Sequence, residues 1–226
     1  MCPNWETKKG WVTHFDILGF KSKIEENSLS VEILKDSISH ILSELNEDTD
    51  VFEGIECIFY ADTFLIYSNS DRIKYFHGLL RTSKNFIKRC ISSRLAVRGA
   101  IAFGELIFGH HKKIILGEAF LESYEYGEDQ NWLGLILTPS ATKELSKNDL
   151  HPNRNEFVNQ GIPMRKKIPN SKNEIYAYDF GASKTNYECN MLPILEEMKR
   201  YAPKKQKIKY SNTIEFIQRH SLFHKR

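Results

Sequence analysis

The sequence lacks the features that mark secreted, membrane and disordered proteins. Only 4 of its 226 residues are cysteines, and Cys57 and Cys90 sit in apolar stretches, which argues against a disulfide scaffold or a zinc ribbon. No apolar run approaches the roughly 18 residues of a membrane span, and the N-terminus has no apolar core of the kind a signal peptide needs, so we expect a cytoplasmic protein. Since no low-complexity linker or repeat divides the chain, we predict a single domain over residues 1–226.

The sequence also lacks a large excess of positive or negative charge. Lysine and arginine number 32 against 29 aspartates and glutamates, and the net charge of +3 is too small to indicate a nucleic-acid partner. The sequence contains no Walker A loop, no GxGxxG and no GxSxG motif. A basic helical tail is predicted from about residue 191, and its lysine run at 204–209 is typical of a solvated face.

What is present is an ordered set of strand and helix patterns. A strand at 11–18 precedes a helix at 31–45, two short strands flank residues 61–62, and a helix at about 71–92 leads into a strand at 95–103. This βαββαβ order predicts an α+β, ferredoxin-like fold, with an antiparallel sheet and helices packed on one of its faces. Further elements are predicted at 114–116, 117–126, 134–137, 174–179 and 191–201, with a short helix from about 213.

Two aspartates stand in apolar strands. Asp16 lies within Phe15–Phe20, and Asp62 lies between two β-rich runs. A lone carboxylate there costs several kcal/mol, roughly, unless it is paired. Either residue alone is also explained as a strand-end aspartate that makes a turn or a salt bridge. Taking the first and second strands as neighbours in the sheet, we expect Asp16 and Asp62 to converge at one edge.

Convergent carboxylates without a nearby histidine or cysteine ligand suit Mg²⁺ or Mn²⁺, which commonly act on substrate phosphates. Two such ions could activate an attacking hydroxyl and neutralise a triphosphate, the requirement of nucleotidyl transfer or cyclisation. Gly19 lets the backbone turn after Asp16, so the amides of Phe20 and Lys21 are candidates for phosphate contacts.

These residues resemble the class III nucleotidyl cyclases. The segment Phe15–Phe20 is similar to the first metal motif of that family, and Ala61-Asp62 is similar to its second, usually Gly-Asp on a hairpin. The segment 98–104 looks like the next strand of the family, and 116–119 like the start of its helix. The resemblance implies a homodimer with active sites at the subunit interface and metal bound by Asp16, the Ile17 carbonyl and Asp62.

The departures from this family are informative. Ile58 and Ile114 stand where purine cyclases carry residues that select the base. Leu121 and Glu125 stand where they carry an asparagine and a transition-state arginine. With both metal aspartates retained, the chain is most similar to the bacterial pyrimidine cyclases of Pycsar antiphage defence, a likeness also seen in residues 117–124 and 130–132. This resemblance implies UTP or CTP as substrate, cyclic UMP or cyclic CMP as product, and a downstream effector protein.

Three further residues are candidates for substrate binding, each with a simpler alternative. Tyr60 could contact the base or sugar, or be a core or interface aromatic. Arg98, within an apolar strand, could bind triphosphate or form an ordinary salt bridge. Arg165 could neutralise phosphate or belong to a solvated loop.

Two other functional classes remain open. One is a non-catalytic, cyclase-like module that binds a nucleotide and signals, motivated by Glu125. The other is a palm-type polymerase, which the small net charge argues against.

Overall fold

The computed structural model describes residues 5–20, 54–109, 114–152, 157–158, 175–178 and 191–223, together with six single positions between 32 and 43. Those six positions are helical, as predicted for that segment, and they are exposed. No helix in the described ranges is long and apolar enough to cross a membrane.

The described part of the chain contains eight strands and five bounded helices. The strands are β1 (Glu6–Ile17), β2 (Ile55–Tyr60), β3 (Thr63–Ser68), β4 (Val97–Gly109), β5 (Ile114–Leu116), β6 (Gly134–Leu137), β7 (Phe157–Val158) and β8 (Tyr176–Tyr178). The helices are α1 (Ile73–Ser92), α2 (Glu118–Asp129), α3 (Pro139–Lys147), α4 (Met191–Tyr201) and α5 (Lys204–Phe223).

All eight strands belong to one sheet, in the order β2-β3-β1-β4-β6-β8-β7, with β5 paired to β4. The first four strands of this order are antiparallel, which confirms the α+β fold with a ferredoxin-like core. One detail of the prediction was wrong, because β1 pairs with β3 and not with β2. Beyond the core, β6 runs parallel to β4, so the complete sheet is mixed.

Helices cover both faces of the sheet, where the sequence had predicted one. Residues alternate between the faces along a strand. On β1, Phe15 packs on Phe86 of α1 at 4.9 Å between ring centroids. The neighbouring residue, His14, packs on Tyr124 of α2 at 5.2 Å. Helices α1 and α2 therefore lie on opposite faces of the sheet. The buried apolar residues form two clusters, one that includes Phe15 and Phe86 and one that includes Ala119 of α2.

The C-terminal region is an integral part of the fold. Helix α5 begins at Lys204, about nine residues before the predicted start, and it buries Lys209 and the apolar residues Tyr210, Ile214, Phe216 and Ile217. Phe216 packs on Trp132, which follows α2, at 4.8 Å between ring centroids. Within the basic run 204–209 only Lys209 is buried, so most of the run is solvated as predicted, and the burial of α5 comes mainly from the residues that follow it.

The buried hydroxyl of Thr213 ties α5 to the loop before β6. It accepts a hydrogen bond from the Leu133 amide at 2.7 Å, and it lies 3.2 Å from the Leu133 carbonyl and 2.9 Å from the Lys209 carbonyl. We expect Thr213→Val to lower the free energy of unfolding by about 1–3 kcal/mol, because the buried Leu133 amide loses its acceptor. Urea denaturation measures this, and Thr213→Ser is the control that keeps the hydroxyl. A Thr213→Val protein as stable as the Ser variant would contradict the expectation.

Two short elements escaped the sequence patterns. Helix α3 spans nine residues with Pro139 in its first turn, a position that favours a helix start. Strand β7 has only two residues, too few for any periodicity to show.

Candidate active site

Asp16 and Asp62 meet at one end of the β1–β3 pair. Asp16 lies opposite Thr63, the first residue of β3, and Asp62 is in the turn immediately before it. The amide of Ile17 donates a hydrogen bond of 2.8 Å to the carbonyl oxygen of Asp62. Both aspartates are half-buried. The two residues are therefore brought together through β3, the strand that pairs with β1.

The β2–β3 turn places a strained residue beside Asp62. Ala61 has a φ of 54°, in the left-handed region that costs an L-residue roughly 1–2 kcal/mol and that glycine adopts freely. Glycine is the usual residue in the motif that this segment resembles.

We expect Ala61→Gly to raise the free energy of unfolding by about 0.5–1 kcal/mol. The relief of the left-handed strain is partly offset by the greater chain entropy of glycine when unfolded. Thermal denaturation measures the change. Ala102→Gly, in the middle of β4, is the opposite control and should destabilise the protein; a destabilised Ala61→Gly variant would contradict the assigned turn conformation.

Arg98 binds Asp16 from the adjacent strand. The two residues are opposite each other in the β1–β4 pair. Arg98 Nε and Nη2 each lie 2.8 Å from Asp16 Oδ2, and Nη2 lies 2.6 Å from Glu128 Oε1. Its Nη1 donates to the backbone carbonyl of Glu128 and, at 3.4 Å, to that of Gln130. All five N–H donors of the guanidinium are thereby directed at protein groups, and the Arg98 side chain is 4% exposed.

Glu128 is a functional candidate that the sequence patterns missed. It lies near the end of α2, and its carboxylate shares Arg98 with Asp16. Burial raises the pKa of the Glu128 carboxyl, the nearby Asp16 carboxylate raises it further, and Arg98 opposes both. No local signal distinguished Glu128 from the other glutamates of an amphipathic helix, because its partners are remote in the sequence.

His14 is a second group near the site that the sequence did not assign. It shares a face of β1 with Asp16, although the sequence had suggested that no histidine lies nearby. Burial lowers the pKa of its imidazole to about 4; the Asp16 carboxylate, which raises this pKa, and Arg98, which lowers it, have smaller effects. Its Nδ1 is buried and has no hydrogen-bond partner among the described residues. His14 is therefore a neutral, packed residue at neutral pH.

The loop after Asp16 turns as the sequence suggested. Gly19 has a φ of 71°, and the half-buried ring of Phe20 packs against the core. Lys21 and Arg165 lie outside the described residues, so the phosphate contacts proposed for them, and for the Phe20 amide, stay predictions.

Tyr60 is directed towards solvent at the end of the hairpin. It pairs with Thr63 across β2 and β3, and Thr63 pairs with Asp16, so the three side chains lie in one row on one face. Its side chain is 79% exposed, which excludes the core role that was weighed for it. A contact with a nucleotide or with a second subunit remains.

The positions that depart from the purine cyclases carry apolar or acidic side chains at or near the surface. Ile58 is half-buried against the α2-side cluster, and Glu125 is exposed. Exposed large apolar side chains also stand on β5 and α2, namely Ile114, Leu116, Leu121 and Tyr124. The domain therefore presents several large apolar side chains to water on these two elements.

The donor chemistry at this edge fits a divalent cation. Asp16 and Asp62 supply hard carboxylate oxygens, and Mg²⁺ or Mn²⁺ usually takes one or two carboxylates and completes its coordination with phosphates and water. In the described ranges, no cluster of three or more histidine, cysteine, aspartate or glutamate residues is arranged to hold a metal by itself.

Comparison with known proteins identifies the fold. No family model and no curated protein sequence matches the chain. The adenylyl cyclase CyaB from P. aeruginosa matches 77% of this chain and 95% of its own, with a TM-score of 0.54 and 16% identity. The catalytic core of a rhodopsin-guanylyl cyclase with converted specificity, in complex with ATPalphaS, matches 77% of this chain and 97% of its own, with a TM-score of 0.55 and 11% identity.

A third structure gives the same result. The guanylyl cyclase domain of the RhoGC fusion protein from the aquatic fungus Blastocladiella emersonii matches 77% of this chain and 96% of its own, with a TM-score of 0.53 and 11% identity. The protein thus has the fold of the adenylyl and guanylyl cyclase catalytic domains.

Proposed function

We propose that this protein is a metal-dependent pyrimidine nucleotide cyclase, which converts UTP or CTP into the 3′,5′-cyclic monophosphate and pyrophosphate. The observation that carries the proposal is the meeting of Asp16 and Asp62 on a cyclase-type fold, joined by the hydrogen bond from the Ile17 amide to the Asp62 carbonyl. A fold alone does not define chemistry. The paired carboxylates at this end of the sheet add ligands for the divalent cations that phosphoryl-transfer reactions need.

The residues of the chain supply metal ligands and orientation. Asp16, the Ile17 carbonyl and Asp62 would hold two Mn²⁺ or Mg²⁺ ions, which when bound lower the pKa of the ribose 3′-hydroxyl and neutralise the triphosphate. The 3′-oxygen attacks the α-phosphorus in line, and the hydroxyl proton passes to solvent. The bond between the α-phosphorus and the oxygen that bridges it to the β-phosphorus breaks, and pyrophosphate leaves. Gly19 adopts the turn conformation, and in this proposal the backbone amides of Phe20 and Lys21 contact the phosphates.

The pyrimidine preference is supported by the apolar side chains at the two positions where purine cyclases read the base. Ile58 and Ile114 offer no hydrogen bond to a purine edge, and exposed Tyr60 stands in the same row as Asp16. An aromatic ring of this kind can stack on a base of either type. In this proposal the cyclic product is a second messenger in antiphage defence, read by a separate effector protein.

The proposal includes a homodimer with active sites at the subunit interface. The exposed apolar side chains of β5 and α2, with Tyr60, are the surface that a second copy would cover. A second copy would also provide the transition-state cation that Glu125 does not supply. Arg165 of the segment 164–167 is our candidate for such a cation.

The deciding experiment is a cyclisation assay. Purified protein is incubated with Mn²⁺ and each of the four nucleoside triphosphates, and pyrophosphate and cyclic product are measured by mass spectrometry. Cyclic UMP or cyclic CMP from one pyrimidine triphosphate supports the proposal. A cyclic purine product, or no pyrophosphate from any triphosphate, would overturn it.

A non-catalytic nucleotide-binding module is the second candidate. It is favoured by Glu125, an exposed acid at the position of a catalytic arginine in the resembling family. Tight binding of a triphosphate in isothermal titration calorimetry, with no turnover under the same conditions, would favour this function over catalysis.

A further inference from the structure

The guanidinium of Arg98 is placed to orient the carboxylate of Asp16. A role in triphosphate binding, which the sequence also allowed, does not explain these contacts. The contacts of Arg98 to Asp16 use a single oxygen, Oδ2, so none of its hydrogen bonds occupies Oδ1. The arginine is 4% exposed, and its remaining donors are held by Glu128 and by two backbone carbonyls. A side chain held in this way has a fixed position relative to β1.

The acceptors that hold Arg98 are themselves fixed from two sides. Gln130 is fully buried, and its Nε2 donates to the carbonyl of Gly99, the residue after Arg98, at 2.8 Å. On the other side, Asn212 of α5 donates to the carbonyl of Asn131 at 2.6 Å. Thr213 binds both backbone groups of Leu133. The segment 128–133 is therefore a rigid support clamped between β4 and the C-terminal helix.

We propose that Arg98 and Glu128 are positioning residues for metal binding, which orient Asp16 so that Oδ1 faces the ion. Groups that hydrogen-bond a metal ligand fix its orientation, and their loss typically weakens metal affinity by about 10- to 100-fold. Glu128 contributes by anchoring Nη2 of Arg98, which keeps the guanidinium in contact with Asp16. The inference rests on the proposed function for its metal, but it does not require turnover.

The test measures binding of Mn²⁺ alone, through the electron paramagnetic resonance signal of the free ion. We expect Arg98→Lys to weaken Mn²⁺ binding by about 10- to 100-fold, because a lysine cannot hold Asp16, Glu128 and two carbonyls together. Arg94→Lys is the matched control. Arg94 also makes two contacts to one carboxylate, to the two oxygens of Glu197 at 3.3 and 3.0 Å, but at an exposed site. Its variant should bind Mn²⁺ as the parent protein does.

A second pair of variants keeps the test valid if Arg98→Lys folds poorly. Glu128→Gln should weaken Mn²⁺ binding several-fold, whereas Glu125→Gln, which makes the same chemical change at an exposed position of the same helix, should change it by less than twofold. Equal effects of the two glutamine variants on Mn²⁺ binding would show that Glu128 acts no more specifically than an exposed glutamate, and would overturn the inference. Circular dichroism at the assay temperature establishes that each variant used is folded.

Kinetics separate positioning from direct substrate binding. With activity present, Arg98→Lys should need more Mn²⁺ for half-maximal rate, while its KM for the nucleotide at saturating Mn²⁺ stays unchanged. Unchanged Mn²⁺ affinity with a raised KM would assign Arg98 to the triphosphate and overturn our inference. If the parent protein binds Mn²⁺, loses it in Arg98→Lys and yet forms no cyclic product, the cyclase proposal fails while the positioning role stands.

Discussion

Asp62→Asn is expected to reduce cyclase activity by about 10³-fold or more and to leave the fold intact. Metal ions contribute several kcal/mol to the stabilisation of charge in such a transition state, and each 1.36 kcal/mol is a factor of ten in rate. The amide is nearly isosteric with the carboxylate, but it carries no charge and binds hard cations poorly. Because Asp62 is half-buried in a turn and is held there by its backbone carbonyl, which accepts from Ile17, its side chain is not needed for the hairpin.

The measurements are the rate of pyrophosphate release with saturating Mn²⁺ and the free energy of unfolding in urea. The unfolding free energy should change by less than about 0.5 kcal/mol, as for surface substitutions in general. Asp71→Asn is the control, since it makes the same chemical change at an exposed position. An Asp62→Asn protein with the activity of the parent would refute a metal role for this residue.

Arg98→Met is expected to lower the free energy of unfolding by about 3 kcal/mol. Removing one partner of a buried ion pair generally costs about 3–5 kcal/mol, because the other charge is left without compensation. Here the Asp16 side chain is 16% exposed and that of Glu128 is 35% exposed, so water partly screens both carboxylates and the lower end applies. The backbone carbonyls of Glu128 and Gln130 also lose their donor.

Urea denaturation at neutral pH measures this loss, and Arg94→Met is the matched control. The Arg94–Glu197 pair is exposed, with 57% and 45% of the side chains accessible, so its loss should cost less than about 1 kcal/mol. Equal destabilisation by the two substitutions would show that the buried network does not contribute more than a surface ion pair.

The short-range features of the fold were predictable from the residues. The hairpin at Ala61-Asp62, β6 and α4 were confirmed, the last two with the predicted ends, because each has a local pattern bounded by a turn or polar segment. The pairing of β1 with β3 was predicted wrongly, since strand order depends on how distant segments pack. The placement of α2 on the second face was missed for the same reason.

The candidate site shows a similar division. Asp16 and Asp62 could be identified from the sequence because burying an unpaired charge in an apolar strand costs free energy, and a charged residue within an apolar run is visible in a single sequence. Arg98 stood out on the same ground, with the salt bridge among its alternatives, and the structure supplies its partners. Glu128 gave no such sign, because an acid near the end of an amphipathic helix is ordinary until its neighbours are known.

The sequence by itself determined the periodicity of the elements, their order along the chain and the presence of two carboxylates that an apolar strand cannot leave unpaired. These properties depend on neighbouring residues, so they are readable along the chain. The tertiary structure alone decided that β3 brings Asp62 to Asp16, that Glu128 shares Arg98 with Asp16, and that α5 supports the loop behind them. Each of these contacts joins residues remote in sequence, and its geometry exists only once the sheet and its helices have packed.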